Sequence, residues 1–199
     1  MPEASRQDLR RQRRVDEILD AAALVFEEKG YAKATMSDIA ERALLSRVSL
    51  YKYFPDKESI LKALIEKKTR ELTERLRRAG EGHQSYQEAV RALVAEGVAF
   101  QEEDRGFFRA MYSATALPRL LDDEGLKSRK RELVEVIAAV IAAGQRSGQV
   151  RPGKPERLAE IFLNLLFSVT VRDFFEGGEP EPDDAQVLSE LFLHGTATN

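Results

Sequence analysis

Residues 46–61, SRVSLYKYFPDKESIL, put three aromatics (Tyr51, Tyr53 and Phe54) among Ser46, Arg47, Ser49 and Lys52. A core helix would carry less polarity, and a solvated face fewer rings. On a helix, Leu50 and Phe54 share one side, while Arg47, Val48, Ser49 and Lys52 lie on the other. Guanidinium, ammonium and hydroxyl groups on one face suit phosphate oxygens and base edges. The chemistry expected is recognition, with no bond made or broken.

The flanking elements must hold that face outward. Val15, Ile18, Leu19, Ala22 and Phe26 recur at helical spacing, which predicts an amphipathic helix over about 9–29 ended by Gly30. TMSD (35–38) reads as a capping box, with Thr35 as N-cap and Asp38 three residues on. The short helix it opens turns Met36, Ile39, Ala40 and Ala43 inward. Ser46 caps a second short helix expected to end near Phe54, because Pro55 discourages continuation. Asp56 then caps a long helix over about 57–79. Two short helices around LLS (44–46), covered by an amphipathic one, describe a helix-turn-helix. Its second helix enters the DNA major groove, while the first crosses the backbone. Val48 then suits a thymine methyl, and Tyr51 and Tyr53 can donate hydroxyls to phosphates. Lys57 and the start of the long helix form an expected phosphate clamp.

The ordered run ILDAAALVFEEKGYAKATMSDIAERALLSRVSLYKYFPDKESIL, residues 18–61, resembles the tetracycline-repressor (TetR-like) family of regulators. The order that carries the resemblance is a long helix, Gly30-Tyr31, Thr35, Ile39-Ala40, Ser46, Leu50-Tyr51, Phe54 and Lys57-Glu58. The resemblance implies DNA contacts from Thr35, Ser46, Arg47, Val48, Ser49, Tyr51, Lys52, Tyr53 and Lys57. Two positions depart from the family pattern. Leu44 stands where the turn commonly has glycine, and Val48 where a small residue is frequent. A capped hairpin with ordinary surface charge explains most isolated Ser/Lys/Tyr clusters; here the ordered context favours DNA.

Composition agrees with this in distribution more than in total. The 199-residue chain is 43% hydrophobic and 33% charged, with a net charge of -3. Positive charge gathers in two places: five arginines stand against Glu3 and Asp8 in residues 1–14, and 42–62 carries a surplus of +3. The arginines of 6–14 fit either an arm reaching phosphate or minor groove, or a solubilising tail. With no cysteine, disulfides and thiolate metal sites are excluded. The opening MPEASRQDLRRQRR lacks an apolar signal core, and the run 161–171 is too short and too polar for a membrane span. The expected setting is the cytoplasm, without membrane partners. His83 and His194 are the only histidines, and no phosphate loop, nucleophile elbow or two-histidine zinc signature occurs. The reading is therefore not an enzyme, with no cofactor and no metal.

The expected fold is all-α with about nine helices. An N-terminal arm and helix-turn-helix domain occupy 1–56 (helix-turn-helix about 35–54), a connecting helix 57–79, and an effector-binding and dimerisation domain 80–199. SYQE (85–88) reads as a second capping box, and further helices follow to about 194. Over 155–176, Leu158, Ile161, Phe162, Leu165, Leu166 and Val169 form one apolar stripe, while Phe167, Val171, Phe174 and Phe175 fall off it. Such a helix needs two covering surfaces. It is either wholly internal, or it packs against a twofold partner together with Val187, Leu188, Leu191 and Phe192. The resemblance implies the latter, so Leu158, Leu165, Val169, Val187, Leu188, Leu191 and Phe192 are the interface candidates.

The resemblance also implies a small-molecule effector pocket. Its candidate lining is Phe100, Phe107, Phe108, Met111, Tyr112, Phe162 and Phe167, an apolar set suited to a lipid-like or aromatic compound. Arg172 fits either an acidic group of the effector or an internal Glu or Asp. The function expected is a homodimeric, effector-released repressor on a double-stranded, pseudo-palindromic operator. Its rival is a helical interaction module without specific DNA binding.

Overall fold

A computed structural model describes residues 6–176 and 181–198. Ten helices occur among them, one more than expected, and no strand; Val150 and Ala197 form an isolated bridge. No helix among the described residues is long and apolar enough to cross a membrane. The chain forms two compact units, one of 1–67 and 106–122, the other of 68–105 and 123–199.

The first unit opens with α1, Arg6–Lys33, which starts three residues earlier than its apolar periodicity requires. Gly30, at φ 74° and ψ 153°, breaks it where the sequence predicts an end. α2 (Met36–Arg42) and α3 (Arg47–Tyr51) follow, and α4 (Lys57–Gly80) begins in this unit and passes out of it beyond Lys67. Ile18, Ala22 and Phe26 of α1, Ile39 of α2, Leu50 of α3 and Ile60 and Leu61 of α4 are almost fully buried. These are the apolar positions of each amphipathic segment, and their removal from water is what holds such short helices in place. The α-helical part of α3 is shorter than expected. After Lys52 the chain tightens, with Tyr53 and Phe54 both donating their N–H groups to the Leu50 carbonyl at 2.9 and 3.1 Å. Pro55 supplies no N–H to carry the helix further.

α6 (Arg105–Ser113), from Gly106 on, and α7 (Leu117–Leu121) complete the first unit. A Cβ on Gly106 would lie 2.4 Å from Glu27 Cγ, so α6 starts flush against α1. Arg119 Nη2 reaches Glu58 Oε2 at 2.7 Å.

The second unit is built from the rest of α4 with α5 (Tyr86–Glu103), α8 (Glu124–Arg146), α9 (Pro155–Glu176) and α10 (Asp184–Thr196). α8 packs along α9, and α5 along α10 and α9. At Gly97 of α5 an added Cβ would lie 2.4 Å from Leu166 Cδ2 of α9, so a larger residue there would have to displace the Leu166 side chain. The buried Gln101 amide donates to the Gly97 and Leu166 carbonyls, each at 3.1 Å. Ser85 caps α5 through the Glu88 N–H at 3.2 Å. The Glu88 carboxylate reaches back one residue further than the expected box, to the Gln84 N–H at 3.1 Å.

Candidate nucleic-acid interface

The interface is assembled from the caps outward. Thr35 Oγ1 accepts the Asp38 N–H at 3.2 Å, and the Asp38 carboxylate accepts the Thr35 N–H at 2.9 Å, which closes the capping box of α2. Lys29 Nζ adds a 2.6 Å contact to the same carboxylate. Lys29 foremost, followed by the Thr35 hydroxyl and N–H, holds Asp38 down to about 2. The short α2 is thereby tied to α1 at one end. At its other end, Arg42 Nη2 reaches Glu28 Oε2 at 2.5 Å and provides a second tie.

The turn into α3 passes through Leu44, the non-glycine residue with positive φ (54°) among those described. Its side chain is 91% exposed, and the Leu45 N–H returns to the Ala40 carbonyl at 2.8 Å. Ser46 caps α3 by accepting the Ser49 N–H at 3.1 Å, and the two serine hydroxyls are 2.9 Å apart. With Leu50 fixed in the core, helical geometry sends Arg47, Val48, Tyr51 and Lys52 outward, all exposed, Val48 by 71%. Ser49 and Tyr53 are half-buried. Among the described residues the Arg47, Tyr51, Lys52 and Tyr53 side chains carry no hydrogen bond or ion pair. The expected recognition face is thus brought together on α3 and the two residues after it, with the donors of Arg47, Tyr51, Lys52 and Tyr53 unspent and the Ser46 and Ser49 hydroxyls paired with each other.

Besides Ser46 and Ser49, two more of the expected DNA contacts are engaged within the chain. Thr35 is exposed, but its hydroxyl serves the capping box. Lys57 Nζ donates to the carbonyls of Tyr31 (2.6 Å), Ala34 (3.0 Å) and Ala32 (3.3 Å), and lies 4.5 Å from the Tyr31 ring centroid. Burial lowers this ammonium below the usual lysine range. The start of α4 is also occupied: the Asp56 carboxylate accepts the Ser59 N–H at 2.7 Å. The clamp expected from Lys57 and this helix end is therefore filled from within the protein. Lysine so placed satisfies carbonyls left over where α1 ends.

The effector candidates divide between the units. Phe107, Phe108, Met111 and Tyr112 belong to the first, where Phe107 and Phe108 meet edge to face at 5.1 Å. Phe100, Phe162, Phe167 and Arg172 belong to the second. Phe162 packs edge to face on Phe192 at 5.0 Å, and Arg75 lies 5.3 Å from the Phe100 ring centroid. Arg172 takes the internal option, donating to both Asp184 oxygens at 3.0 and 2.8 Å and lowering that carboxyl.

Of the interface candidates, Leu158, Val169, Leu188 and Phe192 are buried within the chain and Leu165 is half-buried. Val187 and Leu191 are 45% and 58% exposed, and Ile161, which the sequence groups with Leu158, Leu165 and Val169 on one apolar stripe, is 44% exposed. Val171 is half-buried, while the side chains of Phe174 and Phe175 lie outside the described residues. No group of three or more metal-ligating side chains occurs among the described residues.

Comparison with known proteins agrees with this geometry. The family model for bacterial regulatory proteins of the tetR family matches residues 18–64, which span α1 from its first core residue through the start of α4. An HTH-type transcriptional regulator of Mycobacterium tuberculosis is 32% identical over 154 residues, covering 76% of this chain and 77% of that protein. A TetR-family transcriptional regulator from Mesorhizobium loti superposes with a TM-score of 0.75 at 22% identity, over 95% of this chain and 99% of that one. The fatty acid degradation regulator FadR from Bacillus halodurans superposes with a TM-score of 0.78 at 19% identity, over 90% of this chain and 94% of that one. With its helix-turn-helix, its outward cationic face and these relatives, the chain belongs to the TetR family of DNA-binding transcriptional regulators.

Proposed function

We propose that this regulator is a homodimeric repressor that leaves a pseudo-palindromic operator when a small, largely apolar or amphipathic effector binds. The observation that carries the reading is the unspent row Arg47, Val48, Tyr51 and Lys52 on a helix anchored by buried Leu50. A five-residue helix reads a few base pairs at most. Useful specificity therefore calls for two copies held about 34–36 Å apart, one DNA turn. Exposed Ile161, Val187 and Leu191 support a second copy covering α9 and α10, since large apolar side chains on adjoining helices gain from leaving water.

Repression by release follows from that spacing, because an effector that changes it lowers specific affinity without touching DNA. The aromatic residues Phe100, Phe162 and Phe167 of the second unit support an apolar or acyl effector. The Bacillus halodurans protein of like fold is a fatty acid degradation regulator, which makes acyl compounds the first class to test. Expected is a solution mass twice the 22.4 kDa chain. Operator DNA should be released by one class within a panel of acyl and aromatic compounds. A Leu191→Glu variant should shift toward single chains and lose operator binding while retaining helix content. A monomeric parent with full operator affinity would overturn the dimer, and indifference to the whole panel would overturn the effector class.

A further inference from the structure

The first unit holds a second cationic feature that the α3 face leaves unused. Residues 6–14 are the first turns of α1. An open hollow of about 710 Å³ lies between these turns and the end of α3, lined by Arg10, Arg11, Arg13, Arg14, Lys52 and Tyr53. The carboxylates on its wall are Asp8 and Glu17, and Glu17 takes Arg14 at 2.6 Å. Among the described residues Arg10, Arg11, Arg13 and Lys52 form no hydrogen bond or ion pair. Like charges converging on one concavity repel each other unless an anion lies between them. A guanidinium offers paired donors to two oxygens of one phosphate.

Lys52 and Tyr53 also tie the hollow to the recognition helix, because Lys52 is the C-cap of α3 and Tyr53 follows it. A polyanion held against α3 therefore continues into the hollow. We infer that the first turns of α1 and the end of α3 form a second phosphate-binding site, gripping the DNA backbone beside the segment that α3 reads. This inference rests on the α3 interface described above. It assigns the arginines to a helix that presents them in fixed register, in place of a loose arm laid in the minor groove.

The test measures binding of a labelled mixed-sequence duplex, longer than two helical turns, at low and at physiological salt. Four proteins are compared: the parent, Arg10→Gln/Arg11→Gln/Arg13→Gln, Gln12→Pro, and a charge-matched control, Lys130→Gln/Arg131→Gln/Arg146→Gln, in the second unit. The α1 triple variant is expected to bind roughly tenfold more weakly, with a salt slope shallower by about 2 to 3, at ~0.9 for each phosphate that is no longer neutralised. Gln12→Pro keeps every charge but breaks the helix, so it should lose a similar fraction. The control should keep the parent's slope. Parental binding by the α1 triple variant overturns the site, as does an equal loss in the control. Parental binding by Gln12→Pro overturns its helical form. A folded parent that ignores the duplex at both salts would instead overturn the α3 interface, and this inference with it.

Discussion

The Lys57 ammonium lies 2.6 Å from the Tyr31 carbonyl oxygen and 4.5 Å from the centroid of the same residue's ring. One side chain at the start of α4 thus closes over the end of α1, at the point where the chain turns into α2. Replacing it with methionine keeps the stem and strands the carbonyls. Lys57→Met should cost about 2 kcal/mol of stability, the scale of a charged hydrogen-bond donor removed from a partly buried site. The check is a chemical denaturation curve alongside a DNA titration. An unchanged denaturation midpoint with weakened DNA binding would return Lys57 to the phosphate-contacting set.

Asp38 couples the same region to acid. Its carboxyl is held down to about 2 by Lys29 and Thr35, so the stabilisation is present above the ordinary aspartate range. It is lost as pH falls through the folded value. The parent should therefore lose stability relative to Asp38→Asn between about pH 4 and pH 2, the two converging at the acid end. Urea midpoints across that window test the sign. A constant difference between the two proteins would mean that the carboxylate charge plays no part in holding α2.

Leu44 is in a backbone conformation that suits glycine (φ 54°), with a side chain 91% exposed and little packing to offset the strain. Leu44→Gly should raise stability by about 1 kcal/mol, the relief of left-handed strain exceeding the added freedom of the unfolded chain. Thermal unfolding of the two proteins measures it. A less stable glycine variant would show that the leucine side chain matters in the folded protein.

Arg47 and Tyr51 should fail differently. Tyr51→Phe removes one hydroxyl from the α3 face and should weaken binding to all duplexes alike. Arg47→Ala should cost about 1–3 kcal/mol on the preferred site and flatten the difference between that site and its single-base variants. Titrations against a small set of variant duplexes separate the two patterns.

What could be read in the sequence was mostly local. The caps at Thr35, Ser46 and Asp56 involve backbone groups within three residues of the capping side chain, so residue type and spacing suffice to find them. Leu50 and Phe54 are recognisable as inward residues by their helical spacing. Lys57 was not legible in this way. Its acceptors lie 26, 25 and 23 residues back, and nothing in composition registers the start of α4 against the end of α1. Lys29 and Asp38, nine residues apart across the break at Gly30, escape for the same reason. Arg172 was open between two partners in sequence, and the approach of α10 to α9 supplies Asp184. Among the effector candidates, residue type grouped Phe100 with Phe107, whereas compactness assigns them to different units. Ile161 shows the limit of periodicity, since a stripe that is apolar throughout does not reveal which of its members faces out.

The most direct test of the central claim is a selection of bound genomic fragments by purified protein at moderate salt, with Arg47→Ala selected in parallel. The account predicts a discrete pseudo-palindrome whose half-sites lie about one helical turn apart, with a blurred motif for the variant. A folded parent that enriches no motif, or a variant that enriches the same motif as sharply, would contradict the claim that α3 reads DNA through its outward face.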